Sequence, residues 1–198
     1  MKAKKKDIRA LSREEIRDFF QNTGDKAFRG NQVYEWLWSK GAHHFDDMTN
    51  ISKETRELLS EHFVINHIEV DSIQKSKDGT IKNAVKLFDG LIVESVLIPT
   101  PSRTTACVST QVGCSLDCKF CATARLKKMR NLNPDEIYDQ VKAIDQESKL
   151  YHSRPLSNIV FMGMGEPLMN YNNVLKSIDK ITSKEGLGMS PKRITVST

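Results

Sequence analysis

Three cysteines lie close together in the stretch GCSLDCKFCATA, residues 113–124. Cys114, Cys118 and Cys121 have the spacing C-x3-C-x2-C, and the fourth cysteine of the chain, Cys107, lies upstream of them. A structural zinc site uses four ligands, which usually come as two close pairs. A cubane iron–sulfur cluster contains four irons, so three cysteine ligands leave one iron free to bind another molecule. The spacing therefore favours a 4Fe-4S cluster, and the alternatives are a zinc site or unliganded thiols.

A second stretch suited to chemistry is MGMGEPL at residues 162–168, which directly follows the short apolar segment NIVF. Glycine lets the backbone approach a ligand closely because it has no side chain. Open α/β sheets bind their ligands at the carboxyl ends of parallel strands. Within the stretch, Glu166 offers a carboxylate that could pair with a cation. The pattern favours a ligand site here, and the alternative is a plain turn in which Glu166 faces water.

Positive charge is concentrated around the cysteines. The chain has 30 basic and 25 acidic residues and a net charge of +5 at pH 7. Between Pro101 and Arg130 the sequence has one acidic residue, Asp117, so this short region carries the same positive excess as the whole chain. A basic surface favours a polyanionic partner such as RNA or DNA, and a solvated basic loop is the alternative. The basic residues of the region are Arg103, Lys119, Arg125, Lys127, Lys128 and Arg130.

The composition is that of a globular chain. Apolar residues make up 38% and charged residues 28% of the 198 residues, which argues against a disordered protein. No apolar run reaches the roughly 18 to 20 residues that span a bilayer. The first residues, MKAKKKDIRALSREE, lack the apolar stretch of a signal peptide, so we expect a cytoplasmic protein without membrane contact. In that compartment, clustered cysteines indicate metal binding or catalysis rather than structural disulfides.

Residues 1–64 are predicted to form a small helical domain. Ser12 and Glu15 have the spacing of a capping box at the start of a first helix. A second helix contains NQVYEWLW and ends at Gly41, and a third begins near Ser52. The predicted core residues of this domain are Tyr34, Trp36, Leu37 and Phe45.

The rest of the chain is predicted to contain strands followed by a βα alternation. In residues 65–100 the stretches IEVDSIQKS, TIKNAVKLF and LIVESVLIP are separated by hairpin signals, which predicts an antiparallel β-meander linker. In residues 101–198 apolar strands alternate with helices, one of them capped by Asn133-Pro134. The fold class is therefore α/β, with a parallel sheet covered on at least one face. Because the chain ends on a strand, we expect a piece of a longer protein.

The cysteine motif resembles the signature of the radical S-adenosylmethionine superfamily, in which an aromatic residue, here Phe120, precedes the last cysteine. The resemblance implies the first strands and helices of a partial radical-SAM (βα) barrel. It also implies a 4Fe-4S cluster whose open iron binds S-adenosyl-L-methionine, which one electron cleaves to a 5'-deoxyadenosyl radical. Gly165 and Glu166, together with Ser197 in the terminal TVST, would contact this cofactor. The implied cluster ligands are Cys114, Cys118 and Cys121.

Four stretches together resemble the RlmN family: ACVSTQVGCSLDCKFCATA, NIVFMGMGEPL, VESVLIP and FRGNQVYEWLW. That family methylates carbon 2 of adenosine in 23S ribosomal RNA and in transfer RNA through a methyl group carried on a cysteine. The resemblance implies that Glu94 accepts the proton of carbon 2 and that Cys107 releases the protein–RNA adduct by forming a disulfide. The methyl-carrying cysteine of the family lies beyond this sequence, so we expect the 198-residue form to be inactive.

The resemblance further implies partners and leaves alternatives. The partners are 23S rRNA and tRNA, docked by the helical N-terminal domain, and a reducing electron-donor protein; the enzyme is expected to be a monomer. One alternative is the related resistance methyltransferase that modifies carbon 8 of the same adenosine. Another is a non-catalytic RNA-binding module that holds zinc. The candidate phosphate contacts are Arg125, Lys127, Lys128 and Arg130.

Overall fold

The structure, a computed structural model, describes residues 5–198. The chain divides into two compact units. The first runs to Asn66 and also includes Lys184–Leu187, and the second comprises His67–Ser183 and Gly188–Thr198. Among the described residues, no helix combines the length and the apolar character that crossing a membrane requires.

The described residues of the first unit form three α-helices and two very short strands. Its elements are β1 (Lys6–Asp7), α1 (Arg13–Asn22), α2 (Phe28–Glu35), α3 (Lys53–His62) and β2 (Phe63–Val64). The predicted capping box is confirmed, because Ser12 Oγ accepts the Glu15 N–H at 3.1 Å and the Glu15 carboxylate accepts the Ser12 N–H at 2.6 Å. The predicted stop at Gly41 is also confirmed: this residue adopts φ +72° after a π-helical turn that extends α2.

The core prediction for this unit is wrong at Trp36. Three of the predicted core residues are buried, namely Tyr34, Leu37 and Phe45. The buried tryptophan is Trp38, which is 2% exposed. Trp36 lies nearer the surface, where its indole N–H donates to Asn50 Oδ1 at 2.5 Å and Lys40 Nζ lies 4.3 Å from its ring centroid. Residues two apart on a helix point in nearly opposite directions, so only one of the two tryptophans can face the core.

A six-stranded mixed sheet forms the centre of the second unit. The strands of the unit are β3 (Glu69–Lys75), β4 (Ile81–Lys86), β5 (Ile92–Pro99), β6 (Thr104–Cys107), β7 (Gln111–Val112), β8 (Arg130–Asn131), β9 (Asn158–Phe161) and β10 (Ile194–Val196), and its helices are α4 (Pro134–His152) and α5 (Tyr171–Thr182). The sheet has the order β10-β9-β6-β5-β4-β3; β6, β9 and β10 are parallel, and the pairs from β3 to β6 are antiparallel. The predicted α/β class is confirmed, and the meander continues the same sheet as the parallel strands.

The first strand of the βα region, β6, is short and ends at Cys107. Val108 N–H still donates to Val160 O, but the Thr110 and Gln111 N–H groups both donate to Met164 O instead of to a neighbouring strand. The chain therefore leaves the sheet here and crosses the end of β9. This crossing brings the residues after β6 against the MGMGEPL stretch.

One face of the sheet is buried against α4. A hydrogen-bonded pair of polar side chains lies in the interface between them. Asn83 on β4 is fully buried and donates from Nδ2 to Glu147 Oε2 on α4 at 2.8 Å. Asn83 Oδ1 has no hydrogen-bond partner within the described part of the chain. Burial raises the pKa of Glu147, and the hydrogen bond from Asn83 opposes this effect. A carboxyl group thus occupies an apolar interface that favours its neutral form.

The stretch of residues 113–129, which we name the cysteine loop, is closed at its base by the antiparallel pair of β7 and β8. Val112 pairs with Arg130, and the Met129 N–H donates to Val112 O at 2.8 Å. Gly113 begins the loop with φ +72°, and a Cβ atom at this position would lie 2.3 Å from the Lys127 carbonyl oxygen. Both the backbone angle and the short distance require glycine. The two ends of the cysteine loop are therefore held together tightly.

We predict that Glu147→Gln stabilises the protein at neutral and alkaline pH. A raised folded-state pKa gives stability that is present at low pH and lost as the pH rises through that pKa, because the unfolded carboxyl ionises first. The amide cannot ionise and can also donate to Asn83 Oδ1, so the free energy of unfolding should exceed that of the unsubstituted chain at pH 8. Urea unfolding at several pH values measures the difference, which should shrink toward pH 4. A constant difference would contradict the prediction.

We predict that Gly113→Ala destabilises the protein by about 1–3 kcal/mol more than Gly90→Ala does. The two glycines have similar positive φ values, +72° and +82°, so both substitutions introduce backbone strain. A Cβ atom at Gly90 meets nothing within 4 Å, whereas one at Gly113 overlaps the Lys127 backbone. Urea unfolding of the two variants provides the comparison. Equal losses would show that the base of the cysteine loop yields easily.

Candidate cofactor site

The three predicted cluster ligands lie on the cysteine loop as free, half-buried thiols. The Cys121 N–H donates to Cys118 O at 3.0 Å, and a short 3-10 helix, Ala122–Arg125, follows. In the described chain, no three histidine, cysteine or acidic side chains form a group that could hold a metal ion, so the thiols do not converge on one point. Their predicted ligand role therefore rests on the chemistry of the donors rather than on preformed geometry.

The chemistry of this donor set fits an iron–sulfur cluster, which is bound by thiolates. The Leu116 N–H lies 3.5 Å from Cys114 Sγ and donates to it. Hydrogen bonds from Ala124, and more weakly from Thr123, lower the pKa of Cys121. Hydrogen bonds to sulfur stabilise the thiolate relative to the thiol. One of the three cysteines, Cys121, thus already has backbone donors that favour the thiolate, the form in which it would bind iron.

Cys107 has a different environment, on β6 inside the sheet. Burial raises the pKa of its thiol, and a hydrogen bond from the Met162 backbone opposes the shift only in part. At neutral pH this cysteine is therefore protonated and weakly nucleophilic. All four cysteines are half-buried, but three lie on the cysteine loop and the fourth is a thiol with a raised pKa in the sheet.

Glu94 and Cys107, the two predicted catalytic residues, lie on the same face of the sheet, opposite to α4. Val96 on β5 is directly opposite Cys107 on β6, and Glu94 precedes Val96 by two residues, so their side chains share that face. Lys82 on β4 is on this face too, and its Nζ lies 2.9 Å from Glu94 Oε1. The ion pair is half-exposed and adds little stability, but it orients the carboxylate. The structure thus makes Glu94 and Cys107 diagonal neighbours.

The two glycines of MGMGEPL allow a close approach to the protein's own backbone. A Cβ atom at Gly163 would lie 2.7 Å from the Val108 carbonyl oxygen. A Cβ atom at Gly165, which has φ +93°, would lie 2.4 Å from the Gln111 Cβ. The sequence predicts that these glycines admit a ligand, whereas the structure shows them packed against residues 108–111. A role of Gly165 in cofactor binding stays a prediction.

Hydrogen bonds fix residues 108–111 on both sides. Ser109 Oγ donates to Glu94 O at 2.5 Å and accepts the Met164 N–H at 2.8 Å. The Ser109 N–H donates to Gln140 Oε1 on α4 at 2.9 Å. Asn170 donates from Nδ2 to Thr110 O at 2.8 Å. The backbone of Glu94, the MGMGEPL stretch and α4 are therefore all connected through one buried segment.

Glu166 and Ser197 follow neighbouring parallel strands. Glu166 caps a short 3-10 helix, Pro167–Asn170, by accepting the Leu168 N–H at 3.0 Å with Oε1. Ser197 follows β10, whose Val196 pairs with Phe161 at the end of β9. The carboxyl ends of these strands lie side by side, which agrees with a shared ligand site at that edge. Cofactor contacts of both residues stay predictions.

The predicted phosphate contacts differ in their surroundings. Arg125 and Lys127 are exposed on the cysteine loop and Lys128 is half-buried. Arg130, in contrast, makes two 2.7 Å hydrogen bonds to the carboxylate of Glu136, which raise the pKa of the guanidinium, and a 2.6 Å bond to Asp89. These charge-assisted bonds favour a structural role for Arg130, as an anchor of the cysteine loop.

The sequence reading missed the buried polar residues that support these segments. One of them is Gln111, which is fully buried. A signal was available, because the polar run Ser109–Gln111 directly follows an apolar strand and interrupts its pattern. Buried polar groups need partners, so such a run at the end of a strand indicates hydrogen bonding beyond the sheet. The other missed buried residues are Ser109, Gln140 and Asn170, and the half-buried Lys82 and Asn131 were missed as well.

Two family models match the chain. The ribosomal RNA large subunit methyltransferase N-terminal domain matches residues 6–65. The radical SAM superfamily matches residues 108–198, which include the whole cysteine loop and the MGMGEPL stretch.

Relatives are similar over the entire chain. A protein of Flavobacterium psychrophilum, named probable dual-specificity RNA methyltransferase RlmN, is 79% identical over 198 residues, which are 100% of this chain and 57% of that protein. A protein of Christiangramia forsetii with the same name is 77% identical over 100% of this chain and 56% of its own length. A radical SAM methyltransferase from Sphaerobacter thermophilus, known from a crystal structure, is 34% identical with a TM-score of 0.84, over 98% of this chain and 57% of that one.

The chain therefore spans a little over half the length of the relatives that it matches. The matched regions include its helical first unit, the cysteine motif and the G-x-G-E-P segment. On these similarities the chain belongs to the RlmN family within the radical SAM superfamily.

Proposed function

We propose that this chain belongs to an RNA methyltransferase that modifies carbon 2 of adenosine in 23S rRNA and in tRNA. The observation that carries the proposal is the 79% identity, over all 198 residues, to a relative named as a dual-specificity RNA methyltransferase. The proposed cofactors are a 4Fe-4S cluster and S-adenosyl-L-methionine. We further propose that the protein is cytoplasmic, that it acts as a monomer and that a reducing protein donates its electrons.

The cysteine loop is proposed to hold the cluster. Cys114, Cys118 and Cys121 would be its thiolate ligands, and the N–H groups directed at Cys121 favour the thiolate of that residue. When bound, the cluster supplies the electron that cleaves S-adenosylmethionine and yields a carbon-centred radical. Glu166, at the edge formed by β9 and β10, would pair with the ammonium group of S-adenosylmethionine, as a carboxylate near an amine does. Gly165 and Ser197 would line the same edge.

Glu94 and Cys107 are proposed to complete the reaction on the RNA. Glu94 would accept the proton that leaves carbon 2, and its ion pair with Lys82 orients the accepting oxygen. Cys107 would form a disulfide with the methyl-carrying cysteine as the bond between that sulfur and the transferred carbon breaks. Their placement on one face of the sheet supports a shared substrate site. The reaction needs a further cysteine as methyl carrier, because all four cysteines here have other proposed roles.

RNA is proposed to bind through both units. We propose residues 1–64 as the domain that docks the RNA. Residues 65–100 would contribute Glu94. Residues 101–198 would contain the radical centre. Arg125, Lys127 and Lys128 carry positive charge beside the cysteines and would contact phosphates. For Arg130, a phosphate would have to compete with two carboxylates that already hold the guanidinium.

We predict that the complete gene restores 2-methyladenosine to 23S rRNA and tRNA in cells from which it has been deleted. The Cys118→Ala variant should restore none, and after anaerobic reconstitution its protein should lack the brown colour and the absorbance at about 400 nm of the unsubstituted protein. Mass spectrometry of nucleosides and iron and sulfide assays are the measurements. Finding 8-methyladenosine alone would favour the carbon-8 alternative, and a colourless protein with one zinc would reject the radical mechanism.

We predict that Cys121 is alkylated faster than Cys107 in the reduced, metal-free protein at pH 7.5. The lowered pKa of Cys121 gives more thiolate, whereas burial keeps Cys107 protonated and shielded. Raising the pH to 9 should accelerate Cys107 more than Cys121. Iodoacetamide labelling followed by peptide mass spectrometry gives both rates, and in urea the two should become similar. A Cys107 that reacts as fast as Cys121 in the folded protein would contradict its buried environment.

A further inference from the structure

Gln111 occupies a central position between the cysteine loop and the G-x-G-E-P segment. It is 0% exposed and lies on β7, directly opposite Asn131 on β8, at the base of the cysteine loop. Its backbone N–H donates to Met164 O at 3.2 Å. Its Cβ packs so closely against Gly165 that a side chain at position 165 would overlap it. Gln111 is thus packed directly against the segment that contains Glu166.

The side-chain amide of Gln111 connects the two regions. Its Oε1 accepts the Glu166 N–H at 2.9 Å, and its Nε2 donates to Asn131 Oδ1 at 2.8 Å. Asn131 in turn donates from Nδ2 to Met169 O at 3.2 Å. The two amides therefore bond to both ends of the turn formed by residues 166–169. We name this arrangement of Gln111 and Asn131 the amide bridge.

We propose that the amide bridge positions Glu166 relative to the cysteine loop. The same two residues would then hold both the base of the loop that carries the cluster ligands and the segment that binds S-adenosylmethionine. This inference rests on the proposed function. Gln111 does not contact the reacting groups in this proposal, so it is a positioning residue. The burial of its amide matters, because a buried polar group whose partner is lost is more costly than an exposed one. Preorganised groups bind more tightly than mobile ones.

The amide bridge bonds to the backbone N–H of Glu166 and makes no hydrogen bond to its carboxylate. One carboxylate oxygen, Oε1, caps the 3-10 helix through the Leu168 N–H. With the backbone held by Gln111 and the side chain held by its own helix, Glu166 has a defined orientation before a ligand arrives. Loss of the bridge should therefore weaken S-adenosylmethionine binding more than it weakens cluster binding, since the base of the cysteine loop is also held by β7 and β8.

The test compares Gln111→Leu and Asn131→Ala with Asn83→Leu in the protein from the complete gene, reconstituted under anaerobic conditions. Asn83 is an equally buried amide of the same unit whose side chain bonds to Glu147 instead. Three quantities are measured: iron and sulfide per chain, the dissociation constant of S-adenosylmethionine by equilibrium dialysis, and the hydrogen exchange rate of the Glu166 amide in metal-free protein. Gln111→Leu should keep the iron, raise the dissociation constant by about tenfold, equivalent to one hydrogen bond, and speed the exchange by a similar factor.

Asn131→Ala keeps the Gln111–Glu166 bond and should raise the dissociation constant less, by roughly threefold. If Gln111→Leu fails to fold, Asn131→Ala alone tests the proposal. An unchanged affinity of Asn131→Ala for S-adenosylmethionine would then overturn it. The proposal is likewise overturned if a folded Gln111→Leu binds S-adenosylmethionine normally, or if Asn83→Leu weakens binding equally. If the unsubstituted protein binds neither iron nor S-adenosylmethionine, the proposed function fails, while the exchange rate of the Glu166 amide still shows whether the bridge holds this segment.

Discussion

The contact between residues 108–111 and residues 163–166 is the interaction on which the arrangement of the candidate site depends. Both segments leave the sheet at the carboxyl ends of the parallel strands β6 and β9, where neighbouring strands no longer supply hydrogen-bond partners. The backbone groups of the two segments form hydrogen bonds with each other instead. The Gly163 N–H donates to Val108 O, and Met164 O accepts the N–H groups of residues 110 and 111. The approach is close enough that a Cβ atom at Gly163 or Gly165 would overlap the facing segment. The ends of β6 and β9 and the MGMGEPL stretch are thereby joined by a set of hydrogen bonds.

The environments of the cysteines follow from this arrangement. The cysteine loop extends away from the buried segment, so Cys114 and Cys121 remain accessible and receive hydrogen bonds from N–H groups. Cys107 stays inside the sheet, where burial raises its pKa. At neutral pH the protonated Cys107 thiol is a weaker nucleophile and a weaker metal ligand than a thiolate. The same fold thus gives the thiols of the cysteine loop and the thiol on β6 different environments.

The meander contributes to the site because it belongs to the central sheet. Pairing of β5 with β6 places Glu94 diagonally to Cys107, and the backbone of Glu94 extends past the end of β6. There Ser109 donates to Glu94 O, in place of the missing strand partner. A segment that reads as a linker in the sequence therefore carries a carboxylate to the edge where the parallel strands end. Lys82, one strand further, pairs with that carboxylate across the exposed face.

The sequence by itself determined the features whose causes are local. The capping box of Ser12, the stop at Gly41 and the α/β alternation follow from neighbouring residues, and the cysteine spacing was sufficient to suggest the cofactor. The tertiary structure decided where β6 ends, which tryptophan is buried, and that Arg130 pairs with Glu136 and Asp89. It also decided the partners of Gln111, whose bond to Glu166 joins residues 55 positions apart. The physical reason is that a buried polar group must find a partner, and the side-chain partners of Gln111 are brought close by the packing of distant segments.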